Sequence, residues 1–176
     1  MNTPLYFTRL PKVTYAGDYL IRDISRRFKV SDFIKNNYDA IRLYVIKDYE
    51  SPEQLAQDFY GDPNLHWVIL LTNDIADPFY DWLMPDDELF EYVKVKYGSD
   101  PSEYSGVHHY EKDGIRYIPP TDYPVNAVSV SNWEYEQNLN EAKREIKLIH
   151  PDLLPGLLEE MDTIMTTGRN LEGAYK

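Results

Sequence analysis

Two helix-start signals, Ser51-Pro52 and Asp62-Pro63, lie close together in the middle of this chain. Ser and Asp side chains accept hydrogen bonds from the unpaired N–H groups of a helix's first turn. Proline at the first helical position gives up a donor that has no partner there. Gln54 completes a capping box with Ser51, Leu55, Ala56 and Phe59 share one face, and Gly61 suits a left-handed helix end. The second helix has Leu65, Val68, Ile69 and Thr72 as its inner face, flanked by Trp67, Leu70 and Leu71, with Asn73 at its end. A helix apolar nearly all round is buried on more than one side. Upstream, Ile41-Arg42-Leu43-Tyr44-Val45-Ile46 has the β-branched and aromatic composition of a strand. Downstream, Asp77-Pro78 forces a turn before Tyr80-Asp81-Trp82, which reads as a closing strand. The pattern predicts a compact β-α-α-β module over residues 41–84, a shape suited to binding rather than to catalysis.

The rest of the chain is organised around this module, and the fold class is α+β. Residues 1–40 mix Leu5-Tyr6-Phe7, Leu20-Ile21 and Phe28 with prolines, Gly17 and charges, which predicts an extended arm with short strand pieces. Residues 85–130 hold a helix opened by Asp86-Asp87-Glu88 and ended by Gly98. A β-hairpin from Gly106 to Ile118 turns at Asp113-Gly114, and a stiff Pro119 to Pro124 linker follows. Residues 131–176 begin with a Ser131/Glu134 capping box, and Tyr135, Leu139 and Ala142 share a face. Glu145 to Ile149 fits an edge strand by its alternation, or the end of a longer helix. A terminal helix from about Leu153 to Thr166 carries Leu154, Leu157, Leu158, Met161, Ile164 and Met165 on a wide stripe. Such a stripe serves as a docking element or as core.

Charge is segregated. Residues 1–47 carry a net +5, whereas Asp48 to Val93 holds twelve acids and no Lys or Arg. This is consistent with a basic arm docking on acidic surface of a neighbour, or with a solvated acidic face. The acids weigh against nucleic acid as a partner. No apolar run reaches membrane-spanning length, and Met1-Asn2-Thr3-Pro4 lacks a secretion signal, so synthesis in the cytoplasm is expected. There is no cysteine. His108 and His109 are neighbours on a strand and face opposite sides, so they do not chelate one ion, and no metal or other cofactor is expected. No nucleophile–base pair, HExxH motif or phosphate-cradling loop is present, and the expectation is that the chain is not an enzyme.

Tyr49, Pro52-Glu53, Leu55-Ala56, Tyr60-Gly61, the apolar second helix and Asn73 resemble a LysM module. Tyr60-Gly61-Asp62-Pro63, Trp67-Val68-Ile69-Leu70-Leu71, Asn73 and Asp77-Pro78 with Trp82 resemble, more specifically, the LysM-like baseplate wedge subunit of contractile-tailed bacteriophages. This resemblance runs from about Ile41 to Tyr97 and continues loosely through Leu139-Asn140-Glu141, Lys143 to Ile146 and Leu148. It implies a structural virion protein of the tail baseplate that clamps or joins neighbouring wedge proteins, including copies in a symmetric assembly. The interface candidates are Tyr6, Phe7, Tyr49, Trp67, Phe79, Trp82, Leu154, Leu157, Leu158, Met161 and Met165, although a Trp in a small module is more often core. The alternative is a peptidoglycan-binding LysM module, with Tyr49 or Phe79 stacked on an amino sugar. Asn73 to Trp82 lacks the glycine-containing turn usual in cell-wall modules, and its acids would face anionic wall polymers.

Overall fold

A computed structural model of the chain describes residues 6–25 and 28–167, and it is α+β. In chain order the elements are α1 (Tyr6–Arg9), β1 (Lys12–Tyr15), β2 (Tyr19–Arg22), α2 (Asp32–Lys35), β3 (Ile41–Val45), α3 (Pro52–Tyr60) and α4 (His66–Thr72). They continue with α5 (Pro78–Asp81), α6 (Asp86–Tyr97), α7 (Pro101–Tyr104), β4 (Val107–Lys112), β5 (Ile115–Tyr117), β6 (Val128–Ser131), α8 (Asn132–Glu141), β7 (Glu145–Ile149) and α9 (Leu154–Thr167). These elements fall into two units. Among the described residues, the first comprises 6–25, 28–44, 50–78 and 146–167; the second comprises 45–49 and 79–145.

In the first unit the helix signals act as their chemistry dictates. The Ser51 hydroxyl accepts from the Gln54 N–H, Gln54 returns the bond, and Gly61 ends α3 at φ 76°. Asp62 caps a 3-10 turn, Pro63–Leu65, that leads directly into α4. The closing strand differs from the expectation. Tyr80-Asp81-Trp82 is not a strand: Pro78 starts the short helix α5, since a residue without an N–H donor suits a first helical turn. The partner of β3 is β7 instead, far along the chain. Helix α8 stops at Glu141, so Glu145 to Ile149 takes the alternating edge-strand form rather than prolonging a helix.

Asn73 fastens this late strand. Its amide oxygen accepts from the Lys147 N–H at 2.8 Å, and its amide nitrogen donates to the Lys147 and Ile69 carbonyls, each at 2.8 Å. The Tyr60 hydroxyl donates to the Ile149 carbonyl at 3.2 Å. Burial pushes the Tyr60 hydroxyl well above its usual range for ionisation.

The arm is largely folded into the same unit. β1 and β2 pair antiparallel with Val13 opposite Ile21 and Tyr15 opposite Tyr19. Arg22 donates to the carbonyls of Thr8 and Leu10, tying this hairpin to the end of α1 and the residue after it. Leu10, Phe28 and Val30 enter one core with Leu65, Trp67, Val68, Ile149, Leu154, Leu157, Met161 and Met165. The ends of the described chain and the middle of the sequence therefore share a single apolar interior.

In the second unit, three acids open α6 and Lys94 and Lys96 lie in its last turn, which matches the helix dipole at both ends. The Asp113-Gly114 turn has positive φ at both residues, as a two-residue hairpin requires. β4 is the central strand of a three-stranded sheet, β5-β4-β6. β6 carries little strand signal in the sequence, because only four residues of Val-Ser alternation follow the proline-rich stretch. Buried Asn140 repeats the Asn73 device: it accepts from the Met84 N–H at 2.9 Å and donates to the Met84 carbonyl at 2.8 Å.

Candidate interaction surface

The structure sorts the interface candidates by exposure. Trp67, Leu154, Leu157, Met161 and Met165 are buried in the core of the first unit, with Tyr6 and Leu158 packed partly against it. Trp82 is buried in the second unit. The terminal stripe thus lines this chain's own interior. Phe7, Tyr49 and Phe79 stay outside, with Phe79 86% exposed. Exposed Tyr15, Tyr19, Leu20 and Ile24 on and beside the β1–β2 hairpin join them in the first unit, and Tyr80 does so in the second. No periodic signal marked these, because a short hairpin exposed along both strands carries no buried face.

Tyr49 is held in a conformation that disfavours it. Its φ is +62°, a left-handed geometry that costs a residue with a side chain on the order of 1 kcal/mol. Its ring is 68% exposed, so packing does not offset that cost, and its hydroxyl donates to Asp87 at 3.0 Å. That bond, with the nearby acids, holds the Tyr49 hydroxyl above its ordinary range. Asn or Gly would suit this backbone better, so the exposed aromatic ring is set on a backbone that does not favour it.

Part of the charge segregation is consumed internally. In the first unit, buried Lys35 reaches Asp74 at 2.6 Å, and Arg9 reaches Asp162 at 2.7 Å. In the second unit Arg144 bonds both Asp48, at 2.8 Å, and Glu141, at 2.6 Å. Outside these pairs, Glu53 and Asp58 in the first unit and Asp86 and Glu88 in the second are exposed acids.

The second unit also contains a polar cluster with a structural task. Buried Glu136 accepts from Lys96 at 2.8 Å and from the Tyr97 hydroxyl at 2.7 Å. Burial and the Glu136 bond push the Tyr97 hydroxyl up to about 12. With both partners engaged, Glu136 is a brace and not a free base. His108 stacks on Tyr135 with ring centroids 3.8 Å apart, and its Nδ1 lies 2.9 Å from that of His109. The two rings meet rather than facing opposite sides as the strand period predicts, because the register of β4 shifts between Val107 and His109. The His108 imidazole is held below its ordinary pKa by burial and by His109. A lowered folded-state pKa means the unfolded chain binds protons first as pH falls, so the contribution is intact above about pH 6.5 and lost below it. Thermal melts of the purified chain are expected to shift down between pH 7 and pH 5, and His108→Phe is expected to reduce that shift. Among the described residues no group of three or more His, Asp or Glu side chains is placed to hold a metal ion.

Comparison with known proteins settles the family. The model of the family described as base plate wedge protein 53 matches residues 7–128, about two thirds of the chain. The chain belongs to this wedge family. Baseplate wedge protein gp53 of Enterobacteria phage T4 is 27% identical over 191 residues, covering 92% of this chain and 96% of the relative. The wedge family match includes the hairpin arm, the β3–α3–α4 run and strands β4 and β5 of the second unit, so the resemblance noted on the central motifs extends well beyond them. No described helix of this wedge protein is long and apolar enough to cross a membrane.

Proposed function

We propose that this baseplate wedge protein is a joint that binds neighbouring wedge components through exposed aromatic side chains set among acids. As a member of its family it is a structural protein of the virion, located in the tail baseplate. The observation that carries the finer reading is the contrast between Trp67 and Trp82, buried in the chain's own interior, and Phe79 and Tyr49, left outside. An exposed ring gains from a neighbour what a buried one already has. The order β3–α3–α4–β7 supports a LysM-like β-α-α-β clip whose last strand arrives after a long insertion. In this reading the clip is reused for protein contacts. The amino-sugar alternative draws no support from the family match, which is to a wedge protein.

The test is complementation of a phage lacking this gene by Phe79→Ser and Tyr49→Ser variants. Each is expected to leave the melting temperature of the purified chain nearly unchanged, as surface substitutions do. Together they are expected to lower incorporation into tails at least about tenfold, the effect of losing about 1.4 kcal/mol of contact. Wild-type incorporation of the double variant would reject these rings as contact residues. Salt-resistant retention on insoluble peptidoglycan would favour the amino-sugar reading.

A further inference from the structure

The sheet formed by β3 and β7 has two edges, and they are treated differently. The His150 N–H donates to the Ala40 carbonyl at 2.8 Å, and the Ile46 N–H donates to the Arg144 carbonyl at 2.9 Å. These bonds at opposite ends make the strands antiparallel, with Arg42 and Tyr44 turning their backbone groups toward β7. Ile41, Leu43 and Val45 therefore turn theirs outward. On the far edge of β7, side chains take the place of a third strand: Asn73 meets both backbone groups of Lys147, and Tyr60 meets the Ile149 carbonyl.

The outer edge of β3 has no such cover among the described residues. The Ile41 N–H is bonded to the Asn37 carbonyl, but Leu43 and Val45 follow with side chains 58% and 59% exposed. Natural edges are usually guarded by proline, a bulge or several charges, and β3 has one charge, Arg42. Arg42 lies over the Phe59 ring, 6.0 Å from its centroid, with its side chain exposed and no carboxylate bonded to it among the described residues.

We propose that the outer edge of β3 receives an extended strand from another wedge protein, with apolar residues across from Leu43 and Val45 and a carboxylate across from Arg42. Backbone pairing supplies the attachment, and the alternating side chains supply the selection. A second copy of this chain fits less well. Its own β3 offers no carboxylate between Ile41 and Val45, so Arg42 would gain no partner. The inference rests on the placement of this protein in the baseplate and adds to it a mode of attachment.

Amide hydrogen exchange tests it on the full chain, free and in purified tails. The Arg42 and Tyr44 amides, bonded to β7, are expected to be protected in both states. Those of Leu43 and Val45 are expected to exchange freely in the isolated chain and to slow by about 100-fold in tails. A Leu43→Lys, Val45→Lys double variant is expected to melt like the wild type and to enter tails at least about tenfold less well. Rapid exchange of Leu43 and Val45 in tails that contain the chain would overturn the inference and leave the wedge reading intact. Protection in the isolated chain together with a dimeric mass would overturn it in favour of a second copy. Absence of the chain from tails would overturn the wedge reading and this inference with it.

Discussion

A chain that stops at Asp152 is expected to lose the fold of the first unit, not merely a tail used for docking. Leu154, Leu157, Met161 and Met165 all leave the core on that truncation, and each is 8% exposed or less. Burying a side chain of this size contributes about 1.5–3 kcal/mol, so the four together remove about 6–12 kcal/mol. That matches the whole stability of an ordinary domain, about 5–15 kcal/mol. The same cut exposes Leu10, Phe28 and Trp67 to water and deprives Arg9 of Asp162. Calorimetry and limited proteolysis of the purified chain are expected to show no cooperative transition for the first unit. Cleavage is then expected within residues 6–44. A truncated chain that melts like the full-length protein would show that α9 is dispensable for the core. Leu157→Ala is the milder companion variant, with an expected loss of about 2–5 kcal/mol.

The second large effect is expected at Asn73. Replacement by Leu removes three hydrogen bonds and leaves the N–H and carbonyl of Lys147 without the partner that substitutes for a strand. Leaving such backbone groups unpaired costs about 1–3 kcal/mol each, so a total loss of about 2–6 kcal/mol is expected for the two. Asn73→Asp keeps an acceptor for the Lys147 N–H but loses the donor to two carbonyls, and its loss should fall below that of the Leu variant. Chemical denaturation curves of the three proteins rank them. Equal stability of wild type and Asn73→Leu would mean that β7 is held without this amide. Asn140→Leu applies the same logic in the second unit, where the Met84 backbone would lose both its bonds.

The sequence was most legible where local chemistry decides structure. Ser51, Gly61, Asp62 and Ser131 act within one turn of themselves, so their capping roles follow from residue type and spacing alone. The partner of β3 was not legible in the same way. Strand pairing is a long-range choice, and Tyr80-Asp81-Trp82 was merely the nearest plausible run, whereas β7 lies beyond an entire second unit. Asn73 stood out as a helix terminator, but its second role, gripping Lys147, is invisible without the fold. The surface was the least legible part. Trp67 opens the apolar run Val68-Ile69-Leu70-Leu71 and is core, whereas Phe79 lies in Asp77-Pro78-Phe79-Tyr80-Asp81 and is exposed. The apolar run marks Trp67 as core, but no periodic pattern surrounds Phe79, whose exposure depends on what the rest of the chain brings to it. Tyr49 is the informative exception, since a strained backbone under an exposed ring marks it from its own geometry.

The most direct measurement is hydroxyl-radical footprinting of the full chain, free and inside assembled tails. Tyr15, Tyr19, Tyr49 and Phe79 are expected to be modified readily in the free chain and to lose most of that reactivity on assembly. Trp67 is expected to stay protected in both. Unchanged modification of all four rings in tails would contradict the claim that this protein holds its neighbours through exposed aromatics.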